Sequence, residues 1–190
     1  AILRAAGGWD PFNVTEDADL GIRLAQLGYR VSMLDSTTHE EAPRRFGPWL
    51  RQRSRWQKGY MQTLLVHARD PAGLAGHVGL RGALAFQLFI GGAVWSALVN
   101  PLLWLIFVLS CWDAEASTSQ RVAETFAWIS GLGLLAANAM LATLAMADTQ
   151  RSTKAVLLPY GLSVPIYWIL ISLGAYRGLW QLVFKPFYWE

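Results

Sequence analysis

Two long apolar stretches without a single charge limit the possible folds of this sequence more than any other feature. They run from Ala83 to Ser110 and from Thr125 to Ala147. Each reaches or exceeds the roughly 20 residues that a helix needs to cross a lipid bilayer. We therefore predict two membrane-spanning helices, the first with a kink or break at Asn100-Pro101.

A third apolar candidate, Ala155 to Tyr176, is interrupted by Pro159, Gly161 and Pro165. It either spans the membrane or is re-entrant or interfacial, and the sequence leaves these alternatives open. Arginines precede the first stretch, whereas the loop that follows it is mainly acidic. The positive-inside rule then predicts a multi-pass protein of the cytoplasmic membrane with its polar half in the cytoplasm.

Composition narrows the possible partners. Charged residues make up 15% of the 190 residues, below the usual quarter, and the net charge is +3. The basic residues cluster ahead of the apolar half, which predicts membrane lipid or a phosphate-bearing ligand as a partner. No nucleic-acid-binding motif is present, so we expect no nucleic-acid partner. The single cysteine, Cys111, excludes an internal disulfide and a cysteine-based metal site.

The polar half begins with signals for a turn, a helix and a strand. Gly7 and Gly8 predict a tight turn, and Thr15 is a typical N-cap residue for the helix that follows. Gly28 predicts the end of that helix. The segment Tyr29–Leu34 alternates and is rich in strand-forming residues, so we predict a strand. This half therefore has an α/β pattern.

A second helix is predicted from Gly47-Pro48 to about His67. In it Gln52, Arg55 and Trp56 share one face, because they are three and four residues apart. An amide, a planar cation and an aromatic ring are suited to holding a sugar beside a phosphate. The alternative is a cationic helix that rests on anionic lipid. In either case we expect Lys58, on another face, to meet the membrane surface.

The run Thr15-Glu16-Asp17 places carboxylates in the first turn of a helix. The helix dipole keeps such a carboxylate ionised, and an ionised carboxylate can act as a general base toward a sugar hydroxyl. The simpler alternative is ordinary capping. Asp17 and Asp19 also spell an Asp-x-Asp pattern, but their side chains diverge on a helix, so we predict no metal site here.

The histidines have simpler interpretations. His39, with Glu40 and Glu41, lies in a polar loop, which favours a solvated or salt-bridged role over a metal or acid–base site. His67 and His77 flank a break close to the predicted membrane. We interpret both as interfacial residues.

Taken together, these features resemble one family. Val14–Leu20, then Gln52–Trp56, then apolar helices, is similar to the C-terminal half of membrane-bound, processive-type family 2 glycosyltransferases. Cellulose, hyaluronan, chitin and poly-N-acetylglucosamine synthases belong to that group. The resemblance implies the C-terminal part of a GT-A catalytic domain followed by α-helical membrane spans. The implied division is 1–45 for the GT-A part, 46–82 for an interfacial helix region, 83–176 for the membrane region and 177–190 for an interfacial or cytoplasmic tail.

The resemblance also implies roles for individual residues. Asp17 corresponds to the base that deprotonates the acceptor hydroxyl, with inversion to a β-linkage. The donor would be a nucleotide-sugar, and the acceptor a glycan or a lipid. Residues implied to bind these substrates are Thr15, Glu16, Gln52, Arg55, Trp56, Gly7, Gly8 and Trp9.

Further expectations concern parts of the family pattern that this sequence does not contain. A divalent metal, Mg²⁺ or Mn²⁺, is expected in the full-length enzyme, with its ligands upstream of Ala1. We expect an N-terminal part to be missing and the isolated chain to be inactive. Lys185–Glu190 is similar to the start of a cytoplasmic segment that covers the family's active site. Two alternatives stay open: a single-transfer enzyme that makes a glycolipid, and a non-enzymatic membrane channel or anchor.

Overall fold

The computed structural model describes residues 2–32, 34–110, 118–147 and 163–188. These residues are mainly helical. The helices are α1 (Ile2–Ala5), α2 (Glu16–Gln26), α3 (Phe46–His67), α4 (Pro71–Phe86), a π-helical turn (Gln87–Gly91), α5 (Gly92–Ser110), α6 (Thr118–Ala147) and α7 (Val164–Phe184).

The chain divides into two compact units. One comprises Ala1–Ser96 together with Leu173–Glu190, and the other comprises Ala97–Ser172. In the second unit the ring of Phe107 packs edge-on against Trp128, with ring centroids 5.3 Å apart. A side chain at Gly131 would overlap this ring, so the small residue allows close packing here.

The helix boundaries in the polar half confirm the sequence signals. α2 begins directly after Thr15, and Gly28 has a φ of 80°, the left-handed conformation expected just after a helix end. α3 starts at Phe46 and ends at His67, within a residue or two of the prediction. Asp70 caps α4 by accepting a hydrogen bond from the Gly73 amide at 2.8 Å.

The predicted strand Tyr29–Leu34 has no strand pairing in the structure. Its described residues have no regular secondary structure, and Met33 lies outside the described residues. A strand is defined by its hydrogen bonds to a neighbouring strand, and no such neighbour occurs among the described residues. The α/β fold with a GT-A part therefore stays a prediction.

The apolar half is helical where it is described. By length and composition one helical stretch, Pro71–Ser110, could cross a membrane among the described residues. Of the kink or break predicted at Asn100-Pro101, the break is wrong, because α5 continues through Pro101, and the kink stays a prediction. The irregularities lie earlier, at Gly79 with a φ of 73° and at the π-helical turn.

The other two membrane candidates stay predictions as well. α6 covers the second stretch, Thr125 to Ala147. Of the third candidate, residues 155–162 lie outside the described residues, and α7 covers the part from Val164 onward.

A buried polar cluster fastens α2 to α3. The Asp19 carboxylate lies 3.0 Å from His67 Nε2 and accepts a hydrogen bond from Arg23 Nε at 2.8 Å. Burial raises the pKa of the Asp19 carboxyl, but hydrogen bonding to His67 and the charge of Arg23 outweigh burial and lower it below its usual value. The His67 ring also packs edge-on against Phe86 in α4. The prediction that His67 is an interfacial residue is therefore wrong, since α2 and α4 enclose it.

The prediction for Lys58 is also wrong. We expected it to meet the membrane surface, yet it is 1% exposed. Its Nζ donates to the backbone carbonyls of Lys185 and Tyr188, at 3.1 and 2.9 Å. These partners lie far along the sequence, so no local pattern in α3 could indicate that this cation is covered.

Candidate functional site

The loop before α2 is fastened to α3 by side-chain hydrogen bonds. Asn13 Nδ2 donates to Thr63 Oγ1 at 2.8 Å, and Asn13 Oδ1 accepts from the Thr15 amide at 3.0 Å. Gln62 Nε2 donates to the Phe12 carbonyl at 3.1 Å. Asn13 and Thr63 are buried, so these bonds are shielded from water and fix the path of the chain.

Gly59 allows the closest approach between this loop and α3. A side chain at Gly59 would overlap the buried side chain of Thr15. The Thr15 hydroxyl makes no capping bond to α2 and instead lies 3.3 Å from Asn13 Oδ1. The start of α2, with Glu16 and Asp17, is thereby brought against the middle of α3.

A pocket of about 430 Å³ opens where α2 and α3 meet. This volume lies within the usual range for small-molecule sites. The residues that line it are Trp9, Val14, Thr15, Glu16, Asp17, Arg55, Trp56 and Tyr60. The structure therefore gathers in one pocket six of the nine residues that the sequence predicted for the site.

The pocket is lined by both an exposed carboxylate and a cation. Asp17 is exposed, and its Oδ1 accepts a hydrogen bond from the Ala18 amide at 2.8 Å. Arg55 lines the same pocket, and its guanidinium is a permanent cation whose planar set of N–H donors suits a phosphate. The arrangement can hold a phosphate at Arg55 while the carboxylate of Asp17 remains available to accept a proton.

The aromatic wall of the pocket is supported by a neighbouring arginine. The Arg53 guanidinium lies over the Trp56 ring at 4.3 Å from its centroid, and 5.7 Å from that of Trp49. Such cation–π contacts restrict the ring while another part of it lines the pocket. Trp56 is thus a firm apolar surface of the kind on which a sugar ring packs.

Three predicted site residues lie outside this pocket lining. Gln52 is half-buried on α3 and is not among the lining residues. Gly7 and Gly8 form the predicted turn, with φ values of 82° and 71° that favour glycine. Gly7 borders a neighbouring cavity of about 340 Å³, and Trp9 lines both cavities. The roles of Gln52, Gly7 and Gly8 stay predictions.

Two lining residues were missed by the sequence analysis. Tyr60 follows Trp56 by four residues on the same helix, so the helical spacing could have indicated it. Val14 precedes Thr15, and an isolated valine carries no comparable signal.

The described residues offer no ligand set for the expected metal. They contain no group of three His, Cys, Asp or Glu side chains that could hold an ion. Asp17 lines the pocket whereas Asp19 is bound to His67 and Arg23. The divalent metal and its ligands stay a prediction.

The sequence profile described as glycosyl transferase family group 2 matches residues 1–179. The chain belongs to this family. The pocket described above therefore lies in a family 2 glycosyltransferase chain. No solved structure matches the chain closely enough to be compared with it.

Three curated relatives agree with this assignment. The chain is 36% identical over 66 residues to the probable glycosyltransferase YdaM of Bacillus subtilis. The aligned segment covers 34% of this chain and 16% of that protein. It is 31% identical over 127 residues to the beta-monoglucosyldiacylglycerol synthase of Synechocystis, covering 58% of this chain and 26% of that protein. It is 34% identical over 105 residues to the succinoglycan biosynthesis protein ExoA of Rhizobium meliloti, and the aligned segment covers 54% of this chain and 32% of that protein. The matches span a third or less of each relative's length.

Proposed function

We propose that the protein carrying this chain transfers a sugar from a nucleotide-sugar donor to an acceptor hydroxyl at the membrane, with inversion to a β-linkage. The observation that carries this proposal is the shared pocket of Asp17, Arg55 and Trp56. These residues come from two helices, and each has a chemistry that sugar transfer requires: a base, a phosphate-binding cation and a sugar-packing ring.

In the proposed reaction Asp17 takes the proton from the acceptor hydroxyl. The acceptor oxygen attacks the anomeric carbon of the donor, and the bond between that carbon and the diphosphate oxygen breaks. Arg55 is placed to bind the diphosphate and to stabilise the charge that it gains on leaving. Trp56 holds the sugar at the reacting centre.

The acceptor is proposed to be a growing polysaccharide. The named relatives include a succinoglycan biosynthesis protein and a glucosyldiacylglycerol synthase, so a glycolipid acceptor is the second candidate. Product length separates the two: a purified protein given donor and membrane lipid yields either an extended polymer or a lipid with one added sugar.

An Asp17→Asn variant tests the assignment of the base. Because the amide cannot accept the proton, we expect transfer to fall by about 10²–10⁴-fold in the full-length protein. The affinity for the nucleotide-sugar should remain largely intact, since Arg55 is unchanged. Transfer is measured by release of nucleoside diphosphate, and donor binding by calorimetry.

Asp35→Asn is the matched control, because Asp35 is an exposed carboxylate outside the pocket. It should leave transfer unchanged. Near-normal turnover in Asp17→Asn would show that the base lies elsewhere. Absence of nucleotide-sugar binding by the wild-type protein would instead favour a channel or an anchor.

A further inference from the structure

Lys58 is a buried cation outside the pocket to which the proposed reaction assigns no role. Its side chain is 1% exposed, and burial lowers the pKa of its amine. No carboxylate among the described residues forms an ion pair with it. Its Nζ instead donates to the carbonyls of Lys185 and Tyr188. Burying an amine has a large desolvation cost, and these two hydrogen bonds offset part of that cost.

The two carbonyls belong to the turn that ends α7, where peptide dipoles present negative charge. α7 packs very closely on α3 at this point. A side chain at Gly178 would place its Cβ 2.7 Å from the Ser54 carbonyl oxygen and 3.1 Å from the Lys58 amide nitrogen. The glycine therefore lets the helix backbones approach until the end of α7 is within reach of Lys58.

Residues 185–188, here called the C-terminal turn, lie against the loop that leads to Asp17. The Phe187 ring packs edge-on against Phe12, with centroids 5.9 Å apart. A small cavity between the two segments is lined by Pro11, Phe12, Val14, Pro186, Phe187 and Tyr188.

Val14 is common to this small cavity and to the candidate active-site pocket. The loop is thus held from two directions. α3 binds it through Gln62 and Thr63, and the C-terminal turn packs on it through Phe187. A displacement of the C-terminal turn would release one support of the pocket wall three residues before Asp17.

We propose that Lys58 is a positioning residue for sugar transfer: by fastening the C-terminal turn, it holds Phe12 and Val14 and thereby the wall of the pocket beside Asp17. This inference rests on the proposed function. Lys58 itself does not line the pocket, so it acts through the loop and not on the substrate.

The test compares Lys58→Met with Arg51→Met in the full-length protein. Lys58→Met removes both hydrogen bonds to the C-terminal turn. Arg51→Met removes an exposed cation from the same helix, outside the lining of the pocket.

We expect Lys58→Met to lower kcat by about tenfold or more, as the loss of charge-assisted hydrogen bonds implies. KM for the nucleotide-sugar should change little, because Arg55 stays in place on α3. Arg51→Met should leave kcat close to the wild-type value. A merely stabilising role would lower the melting temperature without lowering kcat of the folded enzyme, and that result would overturn the proposal.

A cross-link distinguishes loss of positioning from misfolding. In a Cys111→Ser background, Phe12→Cys and Phe187→Cys would tie the C-terminal turn to the loop by a disulfide. In Lys58→Met this disulfide should restore kcat to that of the cross-linked protein with Lys58, and a reductant should abolish the recovery. Failure of the disulfide to restore kcat would show that Lys58 does not act through the turn.

The rate at which this disulfide forms provides a readout that does not need activity. It should be about tenfold slower in Lys58→Met than in the parent, because the turn is less often docked. Equal rates would overturn the fastening even if transfer is normal. Slower cross-linking in a protein whose parent transfers no sugar would confirm the fastening and refute the proposed function instead.

Discussion

Asp19 joins three parts of the chain through one carboxylate. It binds His67 of α3 and Arg23 of its own helix, and Arg23 Nη1 in turn donates to the Ala6 carbonyl. The first turn of α2 is therefore fixed at Asp19, while Asp17 in the same turn lines the pocket. The Asp-x-Asp pattern thus splits into two roles, since Asp17 faces the pocket and Asp19 is structural.

The lowered pKa of Asp19 predicts how stability depends on pH. A carboxylate with a folded-state pKa below the usual 3.8 contributes stability above that value and loses it as the pH falls through the folded-state pKa. Asp19→Asn should therefore destabilise the protein near pH 7 by roughly 1–3 kcal/mol. This difference in the free energy of unfolding between the wild type and Asp19→Asn should persist down to about pH 4 and become small below that pH.

Melting temperatures of the wild type and Asp19→Asn between pH 3 and pH 7 check this expectation. Asp35→Asn, at an exposed carboxylate, is the control and should track the wild type throughout. A gap that widens as the pH falls would mean that ionised Asp19 does not stabilise the fold.

Single residues of the site were predictable to the extent that their signal is local. Asp17 stands at a helix start, and Arg55 and Trp56 follow Gln52 by three and four residues on α3. These local signals left alternatives open, and the family resemblance assigned the site roles. Lys58 and His67 could not be placed in this way. Their burial depends on segments distant in sequence, and the pattern of α3 indicates only a basic, half-apolar helix.

At the level of elements, the close contact between the α2 loop and α3 depends on Gly59. Gly59→Ala should destabilise the protein by about 1–3 kcal/mol, because the new methyl group overlaps Thr15, whose buried side chain has little room to move. Displacement of Thr15 should also shift Glu16 and Asp17, so transfer should fall as well. Thermal unfolding and a transfer assay of the full-length protein measure the two effects.

Gly76→Ala is the matched control for that substitution. Gly76 also lies in a helix, but a methyl group there meets no atom within 4 Å. Alanine should be neutral or stabilising at this position, by up to about 1 kcal/mol. Equal melting temperatures for the two variants would show that the loop can yield at Thr15 without cost.

Helices and strands differed in how far the sequence could predict them. Helix starts and ends are indicated by local residues such as Thr15 and Gly28, and the structure confirms the boundaries of α2 there. A strand at Tyr29–Leu34 depends on a partner strand, which no described residue provides. At Pro101 the helix does not break, since an apolar helix can continue through a proline.

At the scale of the whole molecule, the apolar half predicts on which side of a membrane each loop would lie. From Ala83 to Ser110 the chain carries no charge, and α5 continues through Pro101 to Ser110. A helix over this stretch is about 40 Å long, more than the hydrocarbon core of roughly 30 Å. A single crossing is therefore expected, with the pocket-bearing half on the cytoplasmic side and Cys111 on the other.

The single cysteine of the chain makes this topology directly measurable. A membrane-impermeant maleimide should label Cys111 in right-side-out vesicles, and Cys111→Ser should abolish that label. In the Cys111→Ser background, Ser36→Cys, placed in the polar loop of the pocket-bearing half, should label only in inside-out vesicles. Labelling of both positions from the same side would contradict the prediction that Ala83–Ser110 makes a single crossing of the membrane. The proposed active-site pocket would then need to obtain its nucleotide-sugar donor and its acceptor in a way that does not depend on this crossing.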